Sequence, residues 1–452
     1  MARAPRPSER AFLLGLSDTA TATMAVVLAT WTWSLTAGFG YSAAFVRDQA
    51  WWFLAVPLWV VALSPTRHST IAFDVRATSS GVLQASGVLF VAYLAAFFYA
   101  GSEALPRLVA LYLVWNAAWL TLGGRLLLLW TLTRDPFTRT LLIVGDGAAA
   151  DAALALAKEP ALRDATMLAP LRRADDHRLV AGEGIDEFAL RLGVSEVIVS
   201  ADRAVSAETI DQLLRCQEAG INVVTFARVY EQTLWRVPVR HLGHDWMLTQ
   251  LFVGTGSGDP SPVAKRLLDV SAGLVLAVAG AVPAALAALA VFLESGRPVL
   301  YSQLRQGRQG RPFWLTKFRT MGTDAESAGP QWSSRSDPRI TRVGRVLRRT
   351  HLDELPNLWA VLRGDMSLVG PRPERREFIE VLEQQAPLYR ARLIVAPGLT
   401  GWAQVNTGYG DSVEGSITKL EYDLYYVRHR TMWFDISILA RTVGRMLRGM
   451  GR

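Results

Sequence analysis

Two adjacent carboxylates, Asp353 and Glu354, follow the cations Arg348-Arg349 and sit just ahead of Pro356. Carboxylates beside this much positive charge stay ionised. An ionised carboxylate is a competent nucleophile toward phosphorus once cations neutralise the phosphate around it. Two further clusters supply such cations. Lys317 and Arg319 follow the run Phe313-Trp314-Leu315, and Arg372 stands in the stiff turn Gly370-Pro-Arg-Pro-Glu374. Magnesium suits a carboxylate and phosphate oxygens acting together. Plainer explanations exist. Thr350 and Asp353 have the spacing of a helix capping box, acids in a first turn complement the helix dipole, and Pro356 is tolerated there. The arginine runs equally suit lipid headgroups, and Arg345, Arg348 and Arg349 have the periodicity of a basic helical face.

The rest of the chain must position these groups. Of 452 residues, half are apolar and 19% charged, against a usual ~25%. Mean hydropathy is +0.19, which excludes an ordinary soluble protein. An aromatic content of 10% excludes long disorder. The single cysteine, Cys216, excludes an internal disulfide and a cysteine zinc site. The net charge of +8 is uneven: from Lys265 onward there are 27 Lys and Arg against 17 Asp and Glu. That excess implies nucleic acid, a membrane surface or a phosphorylated substrate. Nucleic acid is disfavoured, because the basic region lies beside membrane segments and carries no RNA-binding signature.

Residues 1–133 read as a transmembrane four-helix unit, with apolar spans near 12–37, 50–63, 81–100 and 108–130. The second span is short, and Asp18 with several threonines weakens the first. Arg3, Arg6 and Arg10, then Arg67 and Arg76, then Arg134 and Arg139 flank one side of the spans. The other side has Arg47 beside Asp48 and Arg107 offset by Glu103. The positive-inside rule places both ends of the unit in the cytoplasm. Length and the further spans argue against a cleaved signal peptide.

Residues 134–258 read as a cytoplasmic Rossmann-like α/β domain followed by a linker over 227–260. Apolar runs at 140–144, 196–200 and 221–226 alternate with helical stretches, the pattern of a parallel sheet. Gly145-Asp-Gly147-Ala-Ala-Ala150 forms a nucleotide-type turn between strand and helix. No acidic residue follows at the ribose-binding distance, so a turn kept for packing is the simpler expectation.

Residues 259–452 hold the chemistry. Leu267 to Leu293 is apolar apart from Asp269 and Ser271. A crossing helix there would export the basic region, against the charge rule. A re-entrant helix over 267–293, broken at Pro283 and returning to the same face, resolves the conflict. Lys265 and Arg266 are placed to meet anionic headgroups. The C-terminal segment alternates apolar residues with Arg441, Arg445, Arg448 and Arg452 on one face. It suits a basic helix lying on the membrane, or one packed on the preceding domain.

Residues 262–452 resemble the bacterial sugar transferase family, the monotopic polyprenyl-phosphate hexose-1-phosphate transferases. The resemblance rests on Lys265-Arg-Leu-Leu-Asp269, Gly296-Arg-Pro-Val-Leu-Tyr-Ser-Gln303, Lys317-Phe-Arg-Thr-Met321, Ser336-Asp-Pro-Arg-Ile-Thr-Arg-Val-Gly344, Leu352-Asp-Glu-Leu-Pro-Asn-Leu-Trp359, Gly364-Asp-Met-Ser-Leu-Val-Gly-Pro-Arg-Pro373 and Pro397-Gly-Leu-Thr-Gly-Trp-Ala-Gln-Val405. Lys419-Leu-Glu-Tyr-Asp-Leu-Tyr-Tyr426 continues it. The whole layout resembles the large exopolysaccharide-initiating members. The resemblance implies a mainly α catalytic domain at the cytoplasmic face of a bacterial inner membrane. It implies Asp353 as nucleophile toward a UDP-sugar, with release of UMP and an aspartyl-phosphosugar intermediate. It implies Glu354 as dyad partner linked to magnesium, and polyprenyl phosphate as acceptor. Lys317, Arg319, Arg339, Arg372 and Gln404 are the implied substrate contacts. Anionic lipid is an expected partner, and the middle domain suits a homodimer contact. Two departures stand out. Val282 precedes Pro283 where members usually have serine, and Asn406-Thr-Gly-Tyr-Gly410 replaces Gly-Arg-Asn. The second leaves Arg392 as a candidate to complete the uridine or sugar site. The alternatives are a membrane-anchored nucleotide-binding regulator without transferase activity and a scaffold binding anionic lipid or RNA.

Overall fold

The computed structural model describes residues 7–38, 40–63, 107–132, 139–145, 147–159, 165–171, 183–200, 206–241, 261–323, 337–407 and 412–447, with scattered residues over 78–93 and the single positions 162 and 325. The chain packs as two compact units, Met1–Leu234 and Trp235–Arg452.

The first unit opens with α1 (Pro7–Thr36), α2 (Ala43–Asp48), α3 (Ala55–Ala62) and α4 (Arg107–Leu132). α1 and α4 are long and apolar enough to cross a membrane. The second expected span is shorter, a 3-10 turn over Ala50–Leu54 running into α3. The third, 81–100, falls largely outside the described residues. α1 buries Ala22, Ala25, Val26 and Ala29, small residues on one face that let α4 approach with Ala110, Leu113 and Ala117. Outer faces keep Leu16, Met24, Leu111 and Trp115 exposed, as lipid contact requires. The polar residues that weaken the first span are matched internally. Asp18 accepts from Arg125 through both oxygens, Nε at 2.9 Å and Nη2 at 2.7 Å, and both residues are buried. Trp59 donates to Thr121 at 3.0 Å, and Thr19, Thr23 and Thr32 donate to carbonyls one turn back.

The unit continues as an alternation of strand and helix: β1 (Arg139–Gly145), α5 (Gly147–Ala155), β2 (Ala165–Leu171), α6 (Ile185–Arg191), β3 (Glu196–Ser200), α7 (Ala207–Glu218), β4 (Asn222–Thr225) and α8 (Phe226–Leu234). The strands are all parallel, in the order β2-β1-β3-β4. Apolar cores cover both faces, one around Ile143, Ala150 and Tyr230, the other around Leu142, Phe188 and Cys216. Burial pushes the Cys216 thiol up to about 11, so it stays inert. Packing accounts for the first glycine of the nucleotide-type turn. Gly145 has φ +142, and a Cβ there would collide with the backbone carbonyl of Ser200 on the neighbouring strand.

The expected linker over 227–260 is divided. Its first residues form α8 against the sheet. The next few, Trp235 to His241, belong to the second unit. Val237 is fully buried there and donates to the Glu421 carbonyl at 3.0 Å. Trp235 lies within 6.0 Å of Trp402 and accepts a hydrogen bond from its indole nitrogen.

The second unit is built on α9 (Pro262–Ser295), followed by the antiparallel hairpin β5 (Leu300–Gln306) and β6 (Pro312–Phe318). Then come α10 (Arg342–Thr350), a 3-10 turn (Leu352–Asn357), α11 (Leu358–Arg363), β7 (Ser367–Val369) and α12 (Arg376–Gln385). A second 3-10 segment (Pro387–Ile394), β8 (Gly398–Thr400), α13 (Trp402–Asn406), α14 (Val413–His429) and α15 (Met432–Leu447) complete it. Pro283 does not interrupt α9, which is helical from Pro262 to Ser295; the expected break is a proline inside a continuous helix. One face of α9 is docked: Asp269, Gly273, Ala287 and Val291 are buried. The other presents Leu267, Val275, Val278, Val282, Leu286 and Leu293, all more than half exposed. α15 packs on the domain through Ile438, one of the two expected arrangements, but with its basic residues turned inward instead of solvated. Arg441 lies over the Trp402 ring at 4.8 Å and Arg445 donates to the Gln404 carbonyl, while Trp433, Ile436 and Val443 face outward. Arg448 and Arg452 lie outside the described residues.

Asp18→Ala is expected to strand the Arg125 charge in an apolar helix pair. Removing one partner of a buried pair costs about 3–5 kcal/mol, read as a lower Tm of the detergent-solubilised protein. Replacing both residues by leucine is expected to recover most of the loss.

Candidate active site

The two carboxylates owe their placement to a junction. α10 starts with a double cap. Thr341 Oγ1 accepts from the Gly344 amide at 2.9 Å, and the Glu294 carboxylate, reaching over from the end of α9, accepts from Arg342 and Val343 at 2.9 and 3.0 Å. α10 ends at His351, held in the left-handed region at φ 58. That reversal starts the 3-10 turn, whose first residues are Leu352, Asp353 and Glu354. Thr350 does not cap this turn; its hydroxyl donates back to Val346 at 2.9 Å. The capping-box explanation of the acids therefore fails. Asp353 and Glu354 are both buried.

Two cations converge on one oxygen. Lys317 Nζ and Arg372 Nη2 each donate to Glu354 Oε1 at 2.7 Å. Lys317 arrives by strand alternation: Phe313 and Leu315 on the same face of β6 are buried in the core, which aims Lys317 inward at the strand end. Arg372 arrives from the turn after β7, which pairs in parallel with β8. The two backbones nearly touch there. A Cβ at Gly370 would collide with the carbonyl of Ala396, one at Gly398 with the amide of Gly370, and one at Gly401 with the Gly370 carbonyl. The Gly370 amide donates to Thr400 and the Gly398 amide to Pro371, both at 2.9 Å. The charge of Glu354 raises the Arg372 guanidinium above its usual value.

Arg348, on α10, is a third cation at the site. Its Nε donates to Thr320 at 2.9 Å. Burial lowers its guanidinium below the usual value, and the charges of Asp353 and Asp337 oppose that shift. The sequence offered it only as part of an arginine run; its place in the last turn of α10, five residues before Asp353, is the available signal.

The other expected contacts hold the fold. Arg319 Nη2 donates to the carbonyls of Ser295 at 2.6 Å and Gly296 at 2.9 Å, closing the C-terminus of α9. Arg339 forks onto Asp337, holding that carboxyl below its usual range. Gln404 Nε2 donates to Leu399 at 3.1 Å. Arg392 keeps only 6% of its side chain exposed, against 32% for Arg372 and 19% for Lys317, and its guanidinium pairs with Asp423 at 2.7 Å. Lys265 and Arg266 also point inward. Lys265 pairs with Asp435 at 2.7 Å, and Arg266 donates to Val361 and Leu362 at the end of α11. Asp269 accepts from Ser367 and from the Leu368 amide at 3.0 Å, tying α9 to β7.

Among the described residues no group of three or more His, Cys, Asp or Glu forms a metal cage. Two adjacent carboxylates fit the looser arrangement in which magnesium keeps one or two protein carboxylates and takes its remaining ligands from phosphate and water.

Residues 261–449 match the model of the bacterial sugar transferase family. A UDP-glucose:undecaprenyl-phosphate glucose-1-phosphate transferase from Caulobacter vibrioides is 42% identical over 197 residues, 42% of this chain and 74% of that protein. The chain belongs to the bacterial sugar transferase family. A UDP-N-acetylgalactosamine-undecaprenyl-phosphate N-acetylgalactosaminephosphotransferase from Aeromonas hydrophila is 40% identical over 243 residues, 53% of this chain and 55% of its own length. An undecaprenyl-phosphate glucose phosphotransferase from Komagataeibacter xylinus is 44% identical over 187 residues, 40% of this chain and 35% of its own length. The chain thus spans about half or less of these two longer relatives. The dyad, Lys317, Arg348 and Arg372 all fall inside the family region.

Gly370→Ala is expected to cost about 1–3 kcal/mol, the scale of overpacking a close contact, measured as a lowered Tm. Gly444→Ala, on α15 with nothing within 4 Å of the new Cβ, is expected to be neutral or to stabilise by about 0.4–1 kcal/mol.

Proposed function

We propose that this chain transfers a sugar 1-phosphate from a UDP-hexose to polyprenyl phosphate, with release of UMP, as the first membrane step of a surface polysaccharide. The observation that carries the proposal is the convergence of Lys317 and Arg372 on Glu354, next to Asp353. In the first half, an oxygen of the Asp353 carboxylate attacks the sugar-bearing β-phosphorus. A phosphorus–oxygen bond to Asp353 forms as the phosphoanhydride bond breaks, and its bridging oxygen leaves with UMP. In the second half, an oxygen of polyprenyl phosphate attacks the same phosphorus and the Asp353 carboxylate leaves. Lys317, Arg348 and Arg372 offset the charge on the phosphate, the electrostatic help this transfer needs. Glu354 fixes the two cations it touches. Asp353 and Glu354 would hold magnesium, which supplies charge neutralisation on the diphosphate when bound. One site serves both halves because UMP departs before lipid phosphate arrives.

The docking of α9 supports a one-sided arrangement in the membrane. Its start is tied to β7 through Asp269, and its end to α10 through Glu294. Both ends belong to one folded unit. A helix of 34 residues is about 50 Å long at ~1.5 Å per residue, longer than the ~30 Å hydrocarbon core. A crossing would draw the charged dyad region into lipid. Lying in one leaflet instead, α9 offers its exposed aliphatic face to acyl chains and keeps Asp353 near the headgroups, on the cytoplasmic face of the inner membrane.

Asp353→Asn is expected to abolish UMP release from UDP-sugar, and turnover retained by this variant would overturn covalent catalysis at Asp353. Intact mass measured on enzyme given donor alone is expected to show an added hexose phosphate. A topology reporter fused after residue 300 is expected to read cytoplasmic; a periplasmic signal would refute the one-sided α9.

A further inference from the structure

The second unit contains a buried ion pair that touches none of the reacting groups. Arg392, in the 3-10 segment Pro387–Ile394, pairs with Asp423 of α14 at 2.7 Å. Both are almost fully buried, as is Tyr389, whose hydroxyl accepts from Arg392 Nη1 at 2.6 Å. The same Arg392 Nη2 donates to the backbone carbonyl of Arg372 at 2.9 Å. Arg372 is the exposed cation that meets Glu354, and its turn is fixed from the other side by the Gly398 amide on Pro371. A buried pair adds little net stability over apolar packing; what this one does fix is the Arg372 main chain, through the bond from Arg392.

We propose that Arg392, oriented by Asp423 and Tyr389, is a positioning residue that holds the main chain of Arg372 so that its guanidinium meets the donor diphosphate. The inference rests on the transferase reading above. The chain of contacts runs from α14 through one guanidinium to the Gly-Pro-Arg-Pro turn, and breaking it lets the turn relax without removing any group that touches substrate.

The arrangement has a titration signature. Burial pushes the Asp423 carboxyl up to about 6, against the attraction of Arg392. Glu374 also raises it, Lys419 lowers it, and Tyr389 is the remaining polar neighbour of the pair. Above that pH Asp423 is ionised and Arg392 is locked. As pH falls through it, Arg392 loses its counter-charge and the hold on Arg372 slackens. Donor affinity therefore falls on the acid side.

The test measures UMP release by the full chain in membranes or detergent across pH 5–8.5. In the wild type, KM for the UDP-sugar is expected to rise on the acid side with an apparent pKa near 6. Asp423→Asn is expected to raise KM at pH 8 at least fivefold, with kcat changing less, and to flatten the acid limb. Arg392→Lys keeps the charge but loses the planar guanidinium, whose Nη1 holds Tyr389 while its Nη2 reaches Asp423 and the Arg372 carbonyl. It is expected to raise KM similarly with Tm within a few degrees of wild type, which keeps the test decisive if Asp423→Asn fails to fold. A donor KM unchanged in Arg392→Lys overturns the proposal. So does an acid limb that persists in folded Asp423→Asn, since it then belongs to another group. If the wild type releases no UMP from any UDP-sugar, the transferase reading itself fails, and this inference with it.

Discussion

One carboxylate oxygen organises the second unit. Glu354 Oε1 accepts hydrogen bonds from Lys317 and Arg372, so β6, the dyad turn and the Gly-Pro-Arg-Pro turn meet at a single atom. Two cations that close would repel without the negative charge between them. Each must also come from a segment whose backbone is fixed. For Lys317 that segment is a strand end with a buried face. For Arg372 it is a turn pressed so closely on β8 that glycine is required on both sides. The charge cluster and the glycine contacts are two halves of one constraint.

The membrane helix belongs to the same construction. α9 receives Arg319 at its C-terminus and sends Glu294 to the N-terminus of α10, while its own N-terminal half is pinned to β7 and α15 through Asp269 and Lys265. Each link satisfies backbone or charged groups that would otherwise be buried alone. The turn that carries Asp353 and Glu354 therefore sits between two elements, α10 and α11, that are both docked along one helix with a greasy outer face. The exposed aliphatic face and the placement of the dyad thus depend on opposite sides of one helix.

Much of this was written plainly in the sequence. Asp353, Glu354, Lys317 and Arg372 had plainer explanations by spacing alone, and it is the seven ordered motifs around them that single them out. Alternating strand and helix gave away the parallel sheet. What the residues could not reveal was where each donor points. Arg319, Arg339 and Gln404 occupy motifs yet bond to backbone or to a neighbouring acid, because a helix end or a loop nearby needed a donor. Lys265, Arg266 and Arg441 looked like headgroup contacts by charge, but partners distant in sequence draw them inward. Asp18 looked like a blemish in a span until Arg125, 107 positions away, was placed beside it. Pro283 was read as a break, though the helix continues through it.

The segment beginning at Trp235 has a consequence for where such a chain can be cut. The family model is matched from residue 261, yet the packing of this unit starts at Trp235, whose carbonyl and ring complete the surroundings of Trp402. Likeness to the Aeromonas hydrophila protein runs over 243 residues, more than the stretch from 261 onward holds, so it too reaches upstream of that border. Trimming the polypeptide at 261 would remove a piece of the unit's own interior and leave an aromatic cleft uncovered.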